Sequence, residues 1–162
     1  MKKQDLLDQL QNGYNRDFAY FMPFVFDAEN VYRRDGVTIA IEQVKGDDGG
    51  KTICGIDKAS HPHFDFDNVT PQAVCDTYFK EWQEEGIDAL ESPFKFCYFD
   101  CAVNAGSGRA KKIMAKTGKD ATAFLAERDA FYRRLALAKA VDRKFLNGWL
   151  QRIANLRTFL HL

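Results

Sequence analysis

The sequence lacks any apolar run near the roughly 20 residues that a membrane-spanning helix requires. Its basic start, Met1-Lys2-Lys3, is followed by polar residues rather than by the apolar centre of a signal peptide. Repeats, low-complexity tracts and linkers are lacking as well. We therefore expect a chain made in the cytoplasm without a leader, folded as a single domain over residues 1–162, with no stable membrane insertion.

Cysteines are few, and their spacing matches neither a zinc ribbon nor a disulfide framework. Cys54, Cys75, Cys97 and Cys101 are therefore predicted to be buried, reduced thiols. Cys97 and Cys101 lie four residues apart on a predicted helix, but two ligands do not complete a metal site. No metal and no organic cofactor is expected.

The zero net charge conceals an asymmetry between the two parts of the chain. Residues 1–106 hold 10 Lys+Arg against 19 Asp+Glu, a balance of −9, and residues 107–162 hold 13 against 4, a balance of +9. A basic C-terminal part is suited to an anionic polymer, such as cell-wall phosphate, lipid head groups or nucleic acid. Helix faces exposed to solvent explain the excess of basic residues equally well. No recognised nucleic-acid module is evident, so no nucleic acid is expected as a partner.

The first third of the chain is predicted to contain two helices and a β-hairpin. The helices cover residues 4–11 and 16–29, and Pro23 starts or kinks the second one. A β-branched, roughly alternating stretch at 37–44 predicts a strand, the Gly/Asp-rich residues 45–50 predict a turn, and 51–56 predicts the returning strand. This hairpin is the only sheet that the sequence predicts.

The rest of the chain is predicted to be helical. Thr70-Pro71 and Ser92-Pro93 each resemble an N-cap followed by proline at the first helical position. The predicted helices are 70–85, 94–103, 109–116, 121–138 and 143–159. The second of these is strongly apolar and should be central. The predicted fold class is mainly α, a helical bundle around this central helix with one early hairpin.

Glu29 ends an early helix directly before a hairpin that carries further carboxylates. Cleavage of a glycosidic bond needs one carboxylic acid to protonate the leaving oxygen. It also needs a second group to stabilise the developing oxocarbenium ion or to supply a nucleophile. Glu29 is thus a candidate general acid, although most glutamates at helix ends are merely solvated.

Five short motifs resemble glycoside hydrolase family 108, the N-acetylmuramidases of bacteria and phages that are also described as secretion activators. Glu29-Asn30-Val31-Tyr32 is similar to the family's E-G-G-Y motif, with Asn30 and Val31 in place of the two glycines. The other four motifs follow in the family's order: Asp47-Asp48-Gly49-Gly50-Lys51-Thr52 with Gly55-Ile56, Tyr78-Phe79-Lys80-Glu81-Trp82, Phe99-Asp100-Cys101-Ala102-Val103-Asn104-Ala105-Gly106, and Gly148-Trp149-Leu150-Gln151-Arg152 with Leu156-Arg157.

The resemblance implies an α+β lysozyme-like fold that hydrolyses peptidoglycan glycan strands. The active-site Glu and the hairpin would occupy residues 16–60, and a helical body would occupy 70–162. The family's D-G-x-I-G-P stretch of a C-terminal peptidoglycan-binding region has no counterpart after residue 118. Release to the wall would follow a holin-dependent route, as for phage or prophage endolysins.

The resemblance also assigns candidate roles to single residues. Glu29 would be the general acid on the bond between N-acetylmuramic acid and N-acetylglucosamine. Asp47 is the candidate second carboxylate, although an Asp before Gly-Gly also suits a turn on conformational grounds alone. Asp35, Glu42 and Asp48 are alternatives to Asp47 on the same hairpin. The candidate substrate-binding residues are Tyr32, Thr52, Tyr98 and Asn104, for which ordinary roles in the core, the strand and the helix cap remain open.

Two other interpretations stay open. The alternating His61, His63, Asp65 and Asp67 would suit zinc on one side of an extended segment, or an edge segment with a wet polar side. The functional alternative is a non-catalytic wall-binding or secretion-associated protein, which the replaced glycines after Glu29 favour.

Overall fold

The computed structural model describes residues 1–29, 31, 41–43 and 51–162, with the backbone alone at 41–43 and 51. Two compact units divide the chain, Met1–Glu84 and Glu85–Leu162. The helices are α1 Lys3–Leu10, α2 Arg16–Ala28, α3 Pro71–Glu84, α4 Phe94–Ala105, α5 Ser107–Thr117, α6 Ala121–Ala138 and α7 Leu146–Leu160, with 3-10 helices at Ile87–Ala89 and Ala140–Phe145. The strands are β1 Ile41–Gln43, β2 Lys51–Ile53 and β3 Ile56–Asp57. The predicted fold class, mainly α with an early hairpin, is confirmed. The expectation of a single domain stays a prediction.

Helix α2 carries the apolar face predicted from its spacing. Asn15 caps it, since its side chain accepts a hydrogen bond from the backbone N–H of Phe18 at 2.9 Å. Phe18, Phe21, Met22, Val25 and Phe26 are fully buried along one side of the helix. The helix continues through Pro23, so the proline does not start it. It ends with Glu29 at the C-cap position.

The predicted hairpin is present as an antiparallel pair, in which Glu42 is opposite Thr52 and Ile41 is opposite Ile53. Its turn lies outside the described residues. The single returning strand predicted over 51–56 is wrong, because the chain turns at Cys54 and Gly55. Both residues have positive φ angles, 55° and 77°, which is typical of the two-residue turn that matches strand twist. The turn adds β3 to the sheet in the order β1-β2-β3.

Helix α3 supplies the opposite wall of the first unit's core. Thr70 accepts a hydrogen bond from the N–H of Ala73 at 3.2 Å, which confirms the cap predicted before Pro71. Trp82 is fully buried and packs edge-on against Phe18 of α2, with ring centroids 5.6 Å apart. Tyr78, one turn earlier, packs against Phe26 in the same manner. Helix α3 is therefore held against the end of α2 that carries Glu29.

The second unit is built around α4, as the sequence predicts for its apolar helix. Every residue from Phe94 to Cys101 is buried. The Phe94 ring packs edge-on against Phe124 of α6. Ser92 does not cap α4, since Pro93 occupies the cap position and no side chain accepts a hydrogen bond there.

A buried charge cluster joins three helices of the second unit. Asp100 of α4 is completely buried and accepts hydrogen bonds from Arg128 of α6 at 2.6 Å and from Arg152 of α7 at 2.8 Å. Burial alone would raise the pKa of Asp100, but the two guanidinium groups hold it below its ordinary value. Two of the family-like motifs thus meet in a structural ion pair.

The four cysteines are all buried and none forms a disulfide, as predicted. In the part of the chain that the structure describes, no helix is long and apolar enough to cross a membrane.

Candidate active site

Glu29 lies half-buried at the C-terminal end of α2. Its N–H donates to the carbonyl of Val25 at 2.9 Å, which completes the last helical turn. Val31 is buried, and its N–H returns to the carbonyl of Phe26 at 3.0 Å. The backbone on both sides of Asn30 is therefore anchored to α2, although Asn30 and Val31 replace the family's glycines.

The Cys54-Gly55 turn packs directly against the Glu29 side chain. A Cβ atom placed on Gly55 would lie 3.4 Å from both the Cβ and the Cγ of Glu29. The same atom would lie only 2.5 Å from the hydroxyl oxygen of Tyr78. That hydroxyl donates a hydrogen bond to the carbonyl of Cys54 at 2.8 Å. Glycine is thus required at position 55 for two reasons: the φ angle is positive, and the turn, the end of α2 and α3 approach each other too closely to leave space for a Cβ atom.

Glu81 adds a second carboxylate near Glu29, and sequence reasoning did not identify it. It follows Tyr78 by three residues on α3, which places both on the same side of the helix. Burial raises the pKa of Glu81; His61 opposes this rise, and the negative charges of Glu84 and Glu29 add to it. The only available signal was its position inside the Tyr78-to-Trp82 motif.

His61 connects Glu81 to the sheet. Its Nε2 lies 2.9 Å from a carboxylate oxygen of Glu81, and its Nδ1 lies 3.3 Å from the carbonyl oxygen of Asp57. Since Asp57 ends β3, the imidazole bridges α3 and the strand that follows the Cys54-Gly55 turn. The positions of β3 and Glu81 are thereby coupled.

Asp57 is the described carboxylate on the sheet itself. Burial opposes its ionisation, but hydrogen bonds from Ser60 and the charge of His61 outweigh burial, so the pKa of Asp57 is lower than usual. Thr52, a predicted substrate-binding residue, is half-buried and lies opposite Asp57 in the β2–β3 ladder. Its role stays a prediction.

Several predicted site residues lie outside the described residues, namely Asp47, its alternatives Asp35 and Asp48, and Tyr32. Glu42 is described by its backbone alone, opposite Thr52. The identity of the second catalytic group therefore stays a prediction.

Tyr98 and Asn104 belong to the second unit and have partners there. Tyr98 is 2% exposed, and its hydroxyl donates to Glu85 at 2.8 Å. The amide oxygen of Asn104 accepts hydrogen bonds from Arg128 and Tyr132. These contacts give both side chains a structural role, and their predicted sugar contacts stay untested.

The segment proposed for zinc forms turns rather than an extended strand. His61 contacts Glu81, and Asp65 accepts hydrogen bonds from the N–H groups of Asp67 and Asn68 at 3.0 and 3.1 Å. Among the described residues, no group of three or more His, Cys, Asp or Glu side chains is arranged to hold a metal ion.

The helix-end glutamate, the short sheet and the neighbouring carboxylates define a candidate glycoside hydrolase. Residues 28–106 match the family model Glycosyl hydrolase 108, which supports the family assignment made from the motifs. The match begins one residue before Glu29 and ends at Gly106, so it contains four of the five motifs and leaves out the one at 148–157. No curated protein and no solved structure matches the chain.

Proposed function

We propose that this protein is an N-acetylmuramidase that cleaves the β-1,4 bond between N-acetylmuramic acid and N-acetylglucosamine in peptidoglycan. The family match supports a peptidoglycan hydrolase at the level of the family. The observation that carries the finer proposal is the position of Glu29. Its side chain is packed against Gly55, within electrostatic reach of Glu81, at the junction of α2, the sheet and α3.

In this proposal Glu29 protonates the glycosidic oxygen as the bond to the muramic acid carbon breaks. The Gly55 turn restricts the carboxyl group from one side, which orients it toward a bound strand. Asp47 remains the proposed second carboxylate. The separation of the two groups would decide the stereochemical outcome, at about 5 Å for retention and roughly 6.5–9.5 Å for inversion.

The test compares Glu29→Gln with the wild type on purified peptidoglycan. We expect Glu29→Gln to abolish clearing of a wall suspension without a change in the unfolding midpoint, because the amide keeps the shape of the side chain but has no proton to donate. Asp27→Asn is the matched control, since Asp27 is exposed two residues earlier on α2. It should clear walls as the wild type does.

The products distinguish a muramidase from other wall hydrolases. Reduction of the new chain ends with borohydride should convert muramic acid, and not glucosamine, to its alditol. Equal clearing by the wild type and by Glu29→Gln would refute the assignment of the acid. Binding to walls without new reducing ends would support the alternative, a non-catalytic wall-binding or secretion-associated protein. Under the main proposal the protein reaches the wall by a holin-dependent route.

A further inference from the structure

Three of the six large apolar side chains that are exposed in the described part of the chain lie within nine residues of one another. Leu137 is 77% exposed, Val141 63% and Phe145 48%. Leu137 is in the last turn of α6, and the other two are in the 3-10 helix Ala140–Phe145. Large apolar side chains that are exposed close together often mark a surface that contacts a partner.

Basic side chains are interspersed with these three apolar ones. Residues 137–145 contain Lys139, Arg143 and Lys144 against one carboxylate, Asp142, a net charge of +2. In the described structure the salt bridges of this region involve Arg133 and Arg134, which precede the segment. We call residues 137–145 the basic apolar segment.

The segment is held in place by contacts of its own backbone and side chains. The guanidinium of Arg143 donates to the carbonyl of Ala136 at 3.3 Å, which ties the 3-10 helix to the end of α6. The ammonium of Lys144 lies 4.8 Å from the centroid of the Phe145 ring. Cationic and apolar groups are therefore presented by one short, anchored element.

We propose that the basic apolar segment docks on the surface of a bilayer that contains anionic phospholipids. The interface of such a bilayer takes apolar side chains below the head groups while lysines stay at the level of the phosphates. A wall polymer or a nucleic acid would pair with the lysines but would leave Leu137, Val141 and Phe145 in water. A symmetric contact with a second copy would place like charges against each other.

The first experiment measures binding of the intact protein to lipid vesicles. Vesicles of phosphatidylcholine alone are compared with vesicles that contain equal parts of phosphatidylglycerol, by co-sedimentation and by tryptophan fluorescence. Trp149 reports on the segment because its ring lies 5.8 Å from Phe145, whereas Trp82 is fully buried in the other unit. We expect binding and a blue shift with the anionic vesicles, and weakening of both as salt is raised.

The second experiment separates the apolar contribution from the charge. Leu137→Ser/Val141→Ser/Phe145→Ser should weaken binding to anionic vesicles by at least about tenfold, since each side chain loses the transfer of apolar area out of water. Tyr20→Ser is the matched control, because Tyr20 is an aromatic residue 55% exposed in the first unit. It should leave vesicle binding unchanged.

Lys139→Gln/Lys144→Gln should weaken binding by about fivefold per lysine at low salt. The control Lys2→Gln/Lys58→Gln removes two exposed lysines from the first unit and should have no effect on vesicle binding. Vesicle binding is measured without a glycan substrate, so this test is independent of the proposed activity. All variants should also cleave soluble glycan fragments at the wild-type rate.

Three outcomes would overturn the proposal. The first is equal binding to neutral and anionic vesicles. The second is binding to isolated wall polymer or DNA that falls in the lysine variant but not in the apolar variant, which would indicate a polymer site. The third is a change of sedimentation coefficient caused by the apolar substitutions alone, which would indicate contact between copies of the chain.

Discussion

Replacement of Gly55 by alanine tests whether the close packing of the turn, Glu29 and Tyr78 is required. The new methyl group would be 2.5 Å from the Tyr78 hydroxyl oxygen, closer than atoms can approach, so one of them must move. Alanine at φ 77° costs about 1–2 kcal/mol for its backbone conformation alone. Displacement of Tyr78 breaks its hydrogen bond to Cys54, which adds about 1–1.5 kcal/mol. We expect Gly55→Ala to lower the free energy of unfolding by about 2–3.5 kcal/mol.

The assay is urea denaturation followed by tryptophan fluorescence in a Trp149→Phe background, so that Trp82 alone reports on the first unit. Gly13→Ala is the matched control, because Gly13 has a φ of 92° and nothing within 4 Å of the site of an added Cβ. It should show the backbone cost of about 1–2 kcal/mol and no more. The difference between the two variants isolates the steric contact.

Tyr78→Phe completes a double-mutant cycle. Phenylalanine lacks the hydroxyl that the new methyl group meets, so Gly55→Ala should cost less in the Tyr78→Phe background than in the wild type. Gly55→Ala should also reduce wall clearing, because the clash with Tyr78 displaces the turn that packs against the Glu29 side chain. Equal costs at Gly55 and Gly13, or strict additivity with Tyr78→Phe, would refute the reasoning.

Two further predictions follow from carboxylates whose pKa is shifted in opposite directions. Glu81→Gln should raise the free energy of unfolding relative to the wild type at pH 7 but not at pH 4. The raised pKa of Glu81 in the folded protein stabilises the fold below the unfolded-state pKa near 4.3, and this contribution is lost as the pH rises. Urea midpoints at both pH values would show this, and an equal shift at both would contradict it. Asp100→Asn should lower the free energy of unfolding by about 3–5 kcal/mol at pH 7, because it leaves Arg128 and Arg152 buried without their counter-charge. Since the pKa of Asp100 is depressed, the wild type should lose this contribution as pH falls below about 4, and the variant should not show that loss in the same titration.

The helices were predictable because their signals are local. The apolar spacing of α2, the Thr70 cap of α3 and the range 121–138 of α6 all depend on residues within a few positions of one another. The 3-10 helix at Ala140–Phe145 was not predicted, and it places the start of α7 three residues later than expected. Nothing in the composition of residues 140–145 distinguishes a 3-10 helix from the first turns of α7.

The candidate site was predictable only in part. Glu29 was found from its place before the hairpin and from the motif, but its described neighbours come from distant segments. The contact between His61 and Glu81 spans 20 residues, and no spacing rule connects a loop histidine to a helix glutamate. The turn at Cys54 was hidden because a cysteine with a positive φ is uncommon, so only Gly55 pointed to it.

The buried charge cluster of Asp100, Arg128 and Arg152 has a consequence for how this protein can be shortened. The family match ends at residue 106, whereas the two arginines that neutralise Asp100 stand at 128 and 152. A fragment cut at the end of the matched segment would keep the carboxylate and its apolar surroundings but lose both cations. The boundary that sequence comparison draws is therefore not a boundary at which the chain can be divided, and the smallest fragment that keeps the second unit intact must extend through α7.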